Sequence, residues 1–221
     1  MSCDRESVKS MLRLYAVTDR RWTGKRTLCE QVELAIAGGA TCVQLREKEM
    51  TGQALYEQAV RLKAVCHAHG IPLIINDDVE LALSVRADGV HVGQSDMSAA
   101  AVRRKAGGSL IVGVTAKTVE QALCAQAAGA DYLGSGAVFG TATKDNALPM
   151  TRERLMEIVQ AAEIPVVAIG GVCRENAAKL IGTGVAGAAV VSGIFAAADI
   201  ESECRFLRRI CDEIAHGGKG L

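Results

Sequence analysis

Residues 74–78 read Ile-Ile-Asn-Asp-Asp, and residues 89–96 read Gly-Val-His-Val-Gly-Gln-Ser-Asp. Each is a short apolar run, rich in β-branched residues, that ends in polar and acidic ones. That is how a buried parallel strand looks when its C-terminal tip carries chemistry. As sheet neighbours, about 4.8 Å apart, the two strands would bring Asp77 and Asp96 into one space. Two such carboxylates suit Mg2+, which takes one or two protein carboxylates and fills its octahedron with water and substrate phosphates. A metal-diphosphate site is one expectation. The other is that Asp77 or Asp78 caps a helix starting near Val79 and that Asp96 caps one starting near Ser98.

The same unit recurs on both sides of this stretch. Strands are expected at Leu12–Thr18, Cys42–Leu45, Leu73–Ile75, Gly89–Val92, Leu110–Val114, Tyr132–Ser135, Val166–Ile169 and Ala188–Val191. Between them, apolar residues fall three and four apart, as in Val32 and Ile36, or Leu55, Ala59, Leu62 and Val65, which is the helical period. A weak repeat marks the returns to the sheet: Ala37-Gly38-Gly39-Ala40, Ala87-Asp88-Gly89, Ala128-Gly129-Ala130-Asp131 and Gly182-Thr183-Gly184-Val185. A small or left-handed residue there ends a helix and turns the chain back. Eight strands alternating with eight helices, joined by right-handed crossovers, predict an α/β fold: a single (β/α)8 TIM barrel over residues 1–221. An open doubly wound sheet is the second choice. Residues 1–10 and 216–221 are expected to fray.

Composition narrows the function. Lys plus Arg and Asp plus Glu are 25 each in 221 residues, so no global field favours nucleic acid or an anionic membrane, and any anion site must be local. Apolar residues are 49% of the chain, enough for a large core. The eight cysteines show no C-x-x-C pair and no histidines at zinc spacing, and most sit within apolar patterns as small core residues. The N-terminus does not read as a leader, and no apolar run reaches the roughly 18 residues of a membrane span. A reduced, cytoplasmic setting with small-molecule partners is expected, and self-association into a homo-oligomer is left open.

In such a barrel the site forms at the C-terminal ends of the strands. After the second strand comes Gln44-Leu45-Arg46-Glu47-Lys48, where alternation puts Gln44, Arg46 and Lys48 on one side and Leu45 and Glu47 on the other. The guanidinium fork and the ammonium both suit phosphate oxygens. Thr115 puts a hydroxyl at the fifth tip, with Lys117 behind it. The long connection from Gly136 to Pro149 carries Thr141-Ala142-Thr143-Lys144, which could cradle a phosphate. The seventh and eighth tips carry Gly170-Gly171 and Val191-Ser192-Gly193, where backbone N–H groups and a short following helix could receive another phosphate. The four histidines add little, His91 facing an unassigned side of its strand, and there is neither a nucleophilic triad nor a G-x-G-x-x-G fingerprint.

Taken in order, Tyr15-Ala16-Val17-Thr18-Asp19, Gln44 to Lys48, Ile75-Asn76-Asp77-Asp78, His91-Val92-Gly93-Gln94 with Asp96, Thr141-x-Thr143-Lys144, Ile169-Gly170-Gly171 and Val191-Ser192-x-Ile194 resemble the thiamine-phosphate synthase family over nearly the whole chain. The resemblance implies a barrel that joins a hydroxymethylpyrimidine diphosphate to hydroxyethylthiazole phosphate by dissociative loss of diphosphate. Carried over by position, Asp77 and Asp96 would hold Mg2+. Gln44, Arg46, Lys48, Asn76, Thr115 and Lys144 would surround the pyrimidine and its diphosphate, with Arg46, Lys48, Thr115 and Lys144 as catalytic groups, and Leu45, Glu47 and Ala142 would be further substrate-binding positions. Thr141 and Thr143, with backbone around Gly171, Val191 and Ser192, would hold the thiazole phosphate. The chain departs from the family pattern in having Thr115 for a serine, Lys117 for a histidine, and Gly136-Ala137 and Gly140-Thr141 where prolines are usual, which predicts a less constrained loop after the sixth strand. The rival readings are a thiazole tautomerase relative, a Schiff-base aldolase using Lys48 or Lys144, and a non-catalytic phosphate-binding barrel.

Overall fold

Eight parallel strands close into a barrel in sequence order: β1 (Leu14–Val17), β2 (Cys42–Leu45), β3 (Leu73–Asn76), β4 (Gly89–Val92), β5 (Ile111–Thr115), β6 (Tyr132–Gly136), β7 (Val166–Ile169) and β8 (Gly187–Val190), with β8 pairing back onto β1. The structure, a computed structural model, describes residues 4–140 and 150–217. The expectations placed on Thr141, Ala142, Thr143 and Lys144, and on residues 218–221, lie outside the described residues.

Residues paired across neighbouring strands face the same way. Tyr15 with Cys42, Val17 with Gln44, Asn76 with His91, His91 with Gly113 and Gly113 with Tyr132 therefore trace one continuous interior. Tyr15, Cys42, Ile74, Tyr132, Val167 and Ala189 fill it. The alternate residues, among them Val43, Leu45, Ile75, Val90, Val112, Leu133 and Val190, pack outward under the helices. Gly113 has to be glycine, because a Cβ there would lie 2.1 Å from Cζ of Tyr132 and 2.5 Å from Nδ1 of His91. The interior is thus filled by two large polar rings set against a position with no side chain.

The outer layer comprises α1 (Arg5–Met11), α2 (Leu28–Ala37), α3 (Gly52–Ala68), α4 (Val79–Ser84), α5 (Ala99–Ala106), α6 (Val119–Ala127), α7 (Arg152–Ala161), α8 (Ser192–Phe195) and α9 (Ile200–Ala215). Side-chain caps start most of them, such as the Thr27 and Glu30 capping box of α2 and Asp199 on Ser202 N in α9, each worth about 1 kcal/mol. In α9 the buried set Ile200, Cys204, Leu207, Cys211 and Ile214 follows the three-and-four spacing of an apolar stripe.

Three expectations are corrected. Residues 5–11 do not fray: Asp4 caps α1, and Val8 and Met11 are buried against the barrel. The link from β7 to β8 holds a 3-10 turn, Ala177–Leu180, in place of an α-helix, because the Asn176 amide bonds Gly171 O at 2.8 Å and accepts from Cys173 N at 2.9 Å, tying the segment to the β7 loop. Before Ala87-Asp88-Gly89 the left-handed position is occupied by Arg86, at φ 52°, and not by a glycine.

The acidic residues of that repeat do have a physical role. Asp88 Oδ2 accepts from Leu73 N at 2.8 Å and Lys63 Nζ at 2.6 Å. Asp131 repeats this one unit pair later, accepting from Val112 N at 2.7 Å and from Arg103. Each clamps the start of a strand to its neighbour at the N-terminal end of the barrel. A groove of about 790 Å3 lies there, but Asp88, Arg103 and Asp131 are already paired within the clamps and the strand tips lie at the opposite end.

Candidate active site

At the tips of β3 and β4 the ladder runs one residue beyond the strands, with Asp77 N donating to His91 O at 2.8 Å. Asp77 sits at φ 64°, a conformation that few non-glycine residues adopt and that costs about 1–3 kcal/mol where the surroundings enforce it. Helix capping falls to its neighbour: Asp78 accepts from Leu81 N at 2.9 Å to start α4. Ser98, not Asp96, caps α5. Asp96 folds back onto its own strand tip, where Oδ2 accepts from Gly93 N at 2.7 Å. The two carboxylates singled out from the sequence therefore stand at adjacent tips, and neither caps a helix. Among the described residues no three His, Cys, Asp or Glu side chains group as a metal site.

At the β2 tip, Arg46 N donates to Thr18 Oγ1 at 3.1 Å. Its Nη2 is buried, with no hydrogen-bond partner among the described residues. A buried charged donor left unpaired is costly, so this atom calls for an anion. Nearby Asp19 is engaged elsewhere: Arg21 grips both of its oxygens, one at 2.6 Å, and holds its carboxyl below the usual range. Two residues expected at the substrate direct their side chains away from it, as the alternation predicts. Leu45 buries its side chain in the outer core, as its alternate position dictates. Glu47 accepts from Arg20 Nε at 2.7 Å and from Lys48 N at 3.0 Å, so it braces the loop. Lys48 is exposed at the rim.

The interior holds a polar chain. Gln44 Nε2 donates to Tyr15 Oη at 2.8 Å. Tyr15 Oη lies 3.0 Å from Tyr132 Oη, which lies 3.1 Å from His91 Nδ1. His91 Nε2 is 3.0 Å from Thr115 Oγ1. The rings of Tyr15 and Tyr132 meet edge to face at 6.2 Å, a favoured arrangement. Burial pushes both phenols well above their ordinary pKa, so both keep their protons. Gln94 Nε2 donates to Thr115 O at 2.6 Å and ties the β4 and β5 tips together. Asn76 stands in register with His91 on the same inward face.

At the β7 tip, Val138 N donates to Ile169 O and Phe139 N to Gly170 O, both at 3.0 Å. The part of the β6 loop nearest the strand is thus pinned despite lacking the family's prolines. A Cβ on Gly171, at φ 68°, would lie 2.4 Å from Gly140 O. Its glycine permits this loop packing, in addition to the close approach of a phosphate expected there. After β8, Val191 packs on the interior cluster and Ser192 opens α8, whose own bonds begin with Ile194 N to Val191 O. The amides of Ser192 and Gly193 precede them.

Sequence reasoning brought together Gln44, Arg46, Asn76, Asp77, Asp96 and Thr115. It missed Tyr15, Tyr132 and His91 as members of the site. The available signal was that two of the chain's three tyrosines fall in strand runs beside Gln44 and Gly113.

Comparisons with known proteins give the family. A family model described as thiamine monophosphate synthase matches residues 14–194. The thiamine-phosphate synthase of Ruminiclostridium cellulolyticum is 50% identical over 197 residues, 89% of this chain and 94% of that protein. That of Clostridium acetobutylicum is 48% identical over 195 residues, 88% and 92% respectively. The solved structure of a thiamine phosphate pyrophosphorylase from Pyrococcus furiosus superposes with a TM-score of 0.87 at 37% identity, covering 94% of this chain and 98% of that one.

Proposed function

The chain belongs to the thiamine monophosphate synthase family, and we propose from that membership and from the site how it works. It is a transferase that condenses 4-amino-2-methyl-5-(diphosphooxymethyl)pyrimidine with hydroxyethylthiazole phosphate, giving thiamine phosphate and diphosphate. The observation that carries the assignment of the diphosphate side is the buried Arg46 Nη2, unpaired among the described residues, at the same rim as Asp77 and Asp96. A leaving diphosphate supplies the anion that this nitrogen lacks.

In this reading Asp77 and Asp96 hold Mg2+. The donor set fits: two hard carboxylates at adjacent tips, with the remaining oxygens coming from substrate and water. When bound, the ion supplies charge neutralisation on the diphosphate. The protein's own work is positioning. Arg46 and Lys48 face the diphosphate oxygens where charge accumulates as the C–O bond breaks. Gln44, Asn76 and Thr115 orient the pyrimidine, whose ring electrons stabilise the cation left behind. The thiazole nitrogen then captures that cation. The family resemblance assigns Lys144 to the diphosphate and the hydroxyls of Thr141 and Thr143 to the thiazole phosphate, which Ser192 with the start of α8 also receives. No nucleophile is required, in keeping with the lack of a triad. Relatives that span nine-tenths of the chain carry the synthase name, which favours the synthase over the tautomerase. We place the enzyme in the cytoplasm, where its free thiols would stay reduced.

Titration with inorganic pyrophosphate in the presence of Mg2+ tests the assignment of the diphosphate side. Wild-type protein should bind it, and Arg46→Met should bind at least about tenfold more weakly. Equal affinity would remove Arg46 from the site.

A further inference from the structure

The polar chain through the barrel has a direction, and its direction is set at one end. Gln44 Nε2 can only donate, so Tyr15 Oη accepts from it at 2.8 Å. The Cys42 sulfur beside Tyr15 is a weak acceptor, so the Tyr15 proton goes on to Tyr132 Oη, and the Tyr132 proton to His91 Nδ1. A neutral His91 ring is then left with its proton on Nε2, donated to Thr115 Oγ1. The Thr115 proton has to point away from His91. Among the described residues no donor pairs with Gln44 Oε1. One orientation of the Gln44 amide therefore fixes two groups at the site, a carbonyl acceptor on Gln44 and a hydroxyl donor on Thr115. Turning the amide over would present an NH2 instead, but only if Tyr15, Tyr132, His91 and Thr115 all reversed their protons together.

We propose that Tyr15, Tyr132 and His91 are positioning residues that lock the Gln44 amide with its oxygen toward the substrate, and that this lock makes the enzyme select an aminopyrimidine over the corresponding oxopyrimidine. The proposal rests on the reading that Gln44 faces the pyrimidine. An exocyclic amino group donates to Gln44 Oε1. An oxo group in its place sets two acceptors against each other, and relief requires the whole chain to reverse. The surroundings hold the chain in place: the Tyr15 and Tyr132 rings are packed edge to face, and Gly113 leaves no slack beside Tyr132 and His91. Sites built to pair with one particular donor reject the analogue that lacks it far more strongly than apolar pockets reject a size change.

The test compares kcat/KM for the 4-amino substrate and its 4-oxo analogue, both as diphosphates, in wild type, Tyr132→Phe and Tyr15→Phe. Each variant removes one hydroxyl from the chain and keeps the ring that fills the barrel. Wild type should favour the amino substrate by on the order of 10³-fold or more. Each variant should lose at least about tenfold of that preference, mainly through better use of the oxo analogue. A role in packing alone would lower both substrates together and leave the ratio unchanged, and that result in either folded variant overturns the proposal. A wild type that discriminates between the two by less than tenfold overturns it as well. A wild type that turns over neither substrate instead removes the assignment of the pyrimidine to Gln44. Thermal melting identifies a variant that does not fold, in which case the other variant decides.

Discussion

Asp77 and His91 are joined through their backbones: the Asp77 amide donates to the His91 carbonyl at 2.8 Å, with Asp77 held at φ 64°. One bond therefore fixes a carboxylate at the β3 tip relative to the strand whose loop carries Asp96. Asp77→Asn and Asp96→Asn should each lower kcat by about 10²-fold or more, the usual cost of losing a preorganised electrostatic partner. Asn tolerates the left-handed conformation well, so Asp77→Asn should melt within a few degrees of wild type. Asp78→Ala should behave the other way, losing about 1 kcal/mol of stability with its cap on Leu81 N and keeping most activity. The paired readouts are steady-state kinetics and thermal melting, and a stable, fully active Asp77→Asn would contradict the assignment.

Arg46 and Glu47 are chain neighbours with opposite roles. Arg46→Ala should lower kcat and kcat/KM for the pyrimidine diphosphate together, as expected for contacts that strengthen while charge builds, with the KM for thiazole phosphate nearly unchanged. Glu47→Gln breaks the ion pair with Arg20, in which the Glu47 side chain is 4% exposed, and should act on loop stability. If Arg46→Ala raised only the thiazole phosphate KM, the two anion sites would have to be exchanged.

Gly171 and Ser192 offer a second contrast. Gly171→Ala places a methyl group 2.4 Å from Gly140 O at a positive φ, so it should destabilise the fold by 1 kcal/mol or more. Ser192→Ala leaves the α8 amides in place and should raise the thiazole phosphate KM less than about threefold. Chemical denaturation measures the first and initial rates the second. A large KM effect in Ser192→Ala would shift recognition from the backbone to the hydroxyl.

The cysteines should separate by burial. Burial pushes the Cys66, Cys204 and Cys211 thiols up to about 12 and Cys42 well above its ordinary value. Thiolate is the reactive form, so at pH 8 these four should resist a disulfide-exchange reagent in folded protein. Cys124, exposed on α6, should react at once. Mass mapping of the labelled sites checks this, and rapid labelling of Cys204 or Cys211 would argue against the packing of α9.

The β-branched runs made all eight strands legible, since a buried parallel strand reads as a continuous apolar stretch. The same property concealed His91. When both faces of a strand are buried, alternation does not tell inside from outside, and only the register with Gly113 and Tyr132 shows that His91 points inward. The β7 to β8 link failed for a tertiary reason, because Asn176 bonds the Gly171 loop in place of starting a helix. The partner of Glu47 was not legible, because Arg20 lies far from it in sequence. The capping alternative for Asp77 and Asp96 fell away because their neighbours Asp78 and Ser98 are adequate caps in their own right.

The most direct test of the central claim is to incubate the purified protein with the aminopyrimidine diphosphate, hydroxyethylthiazole phosphate and Mg2+, and to quantify thiamine phosphate and diphosphate together. The account predicts the two products in equal amounts, their loss on adding EDTA and their return with excess Mg2+. Undiminished turnover in EDTA, or diphosphate release with no thiamine phosphate formed, would contradict it.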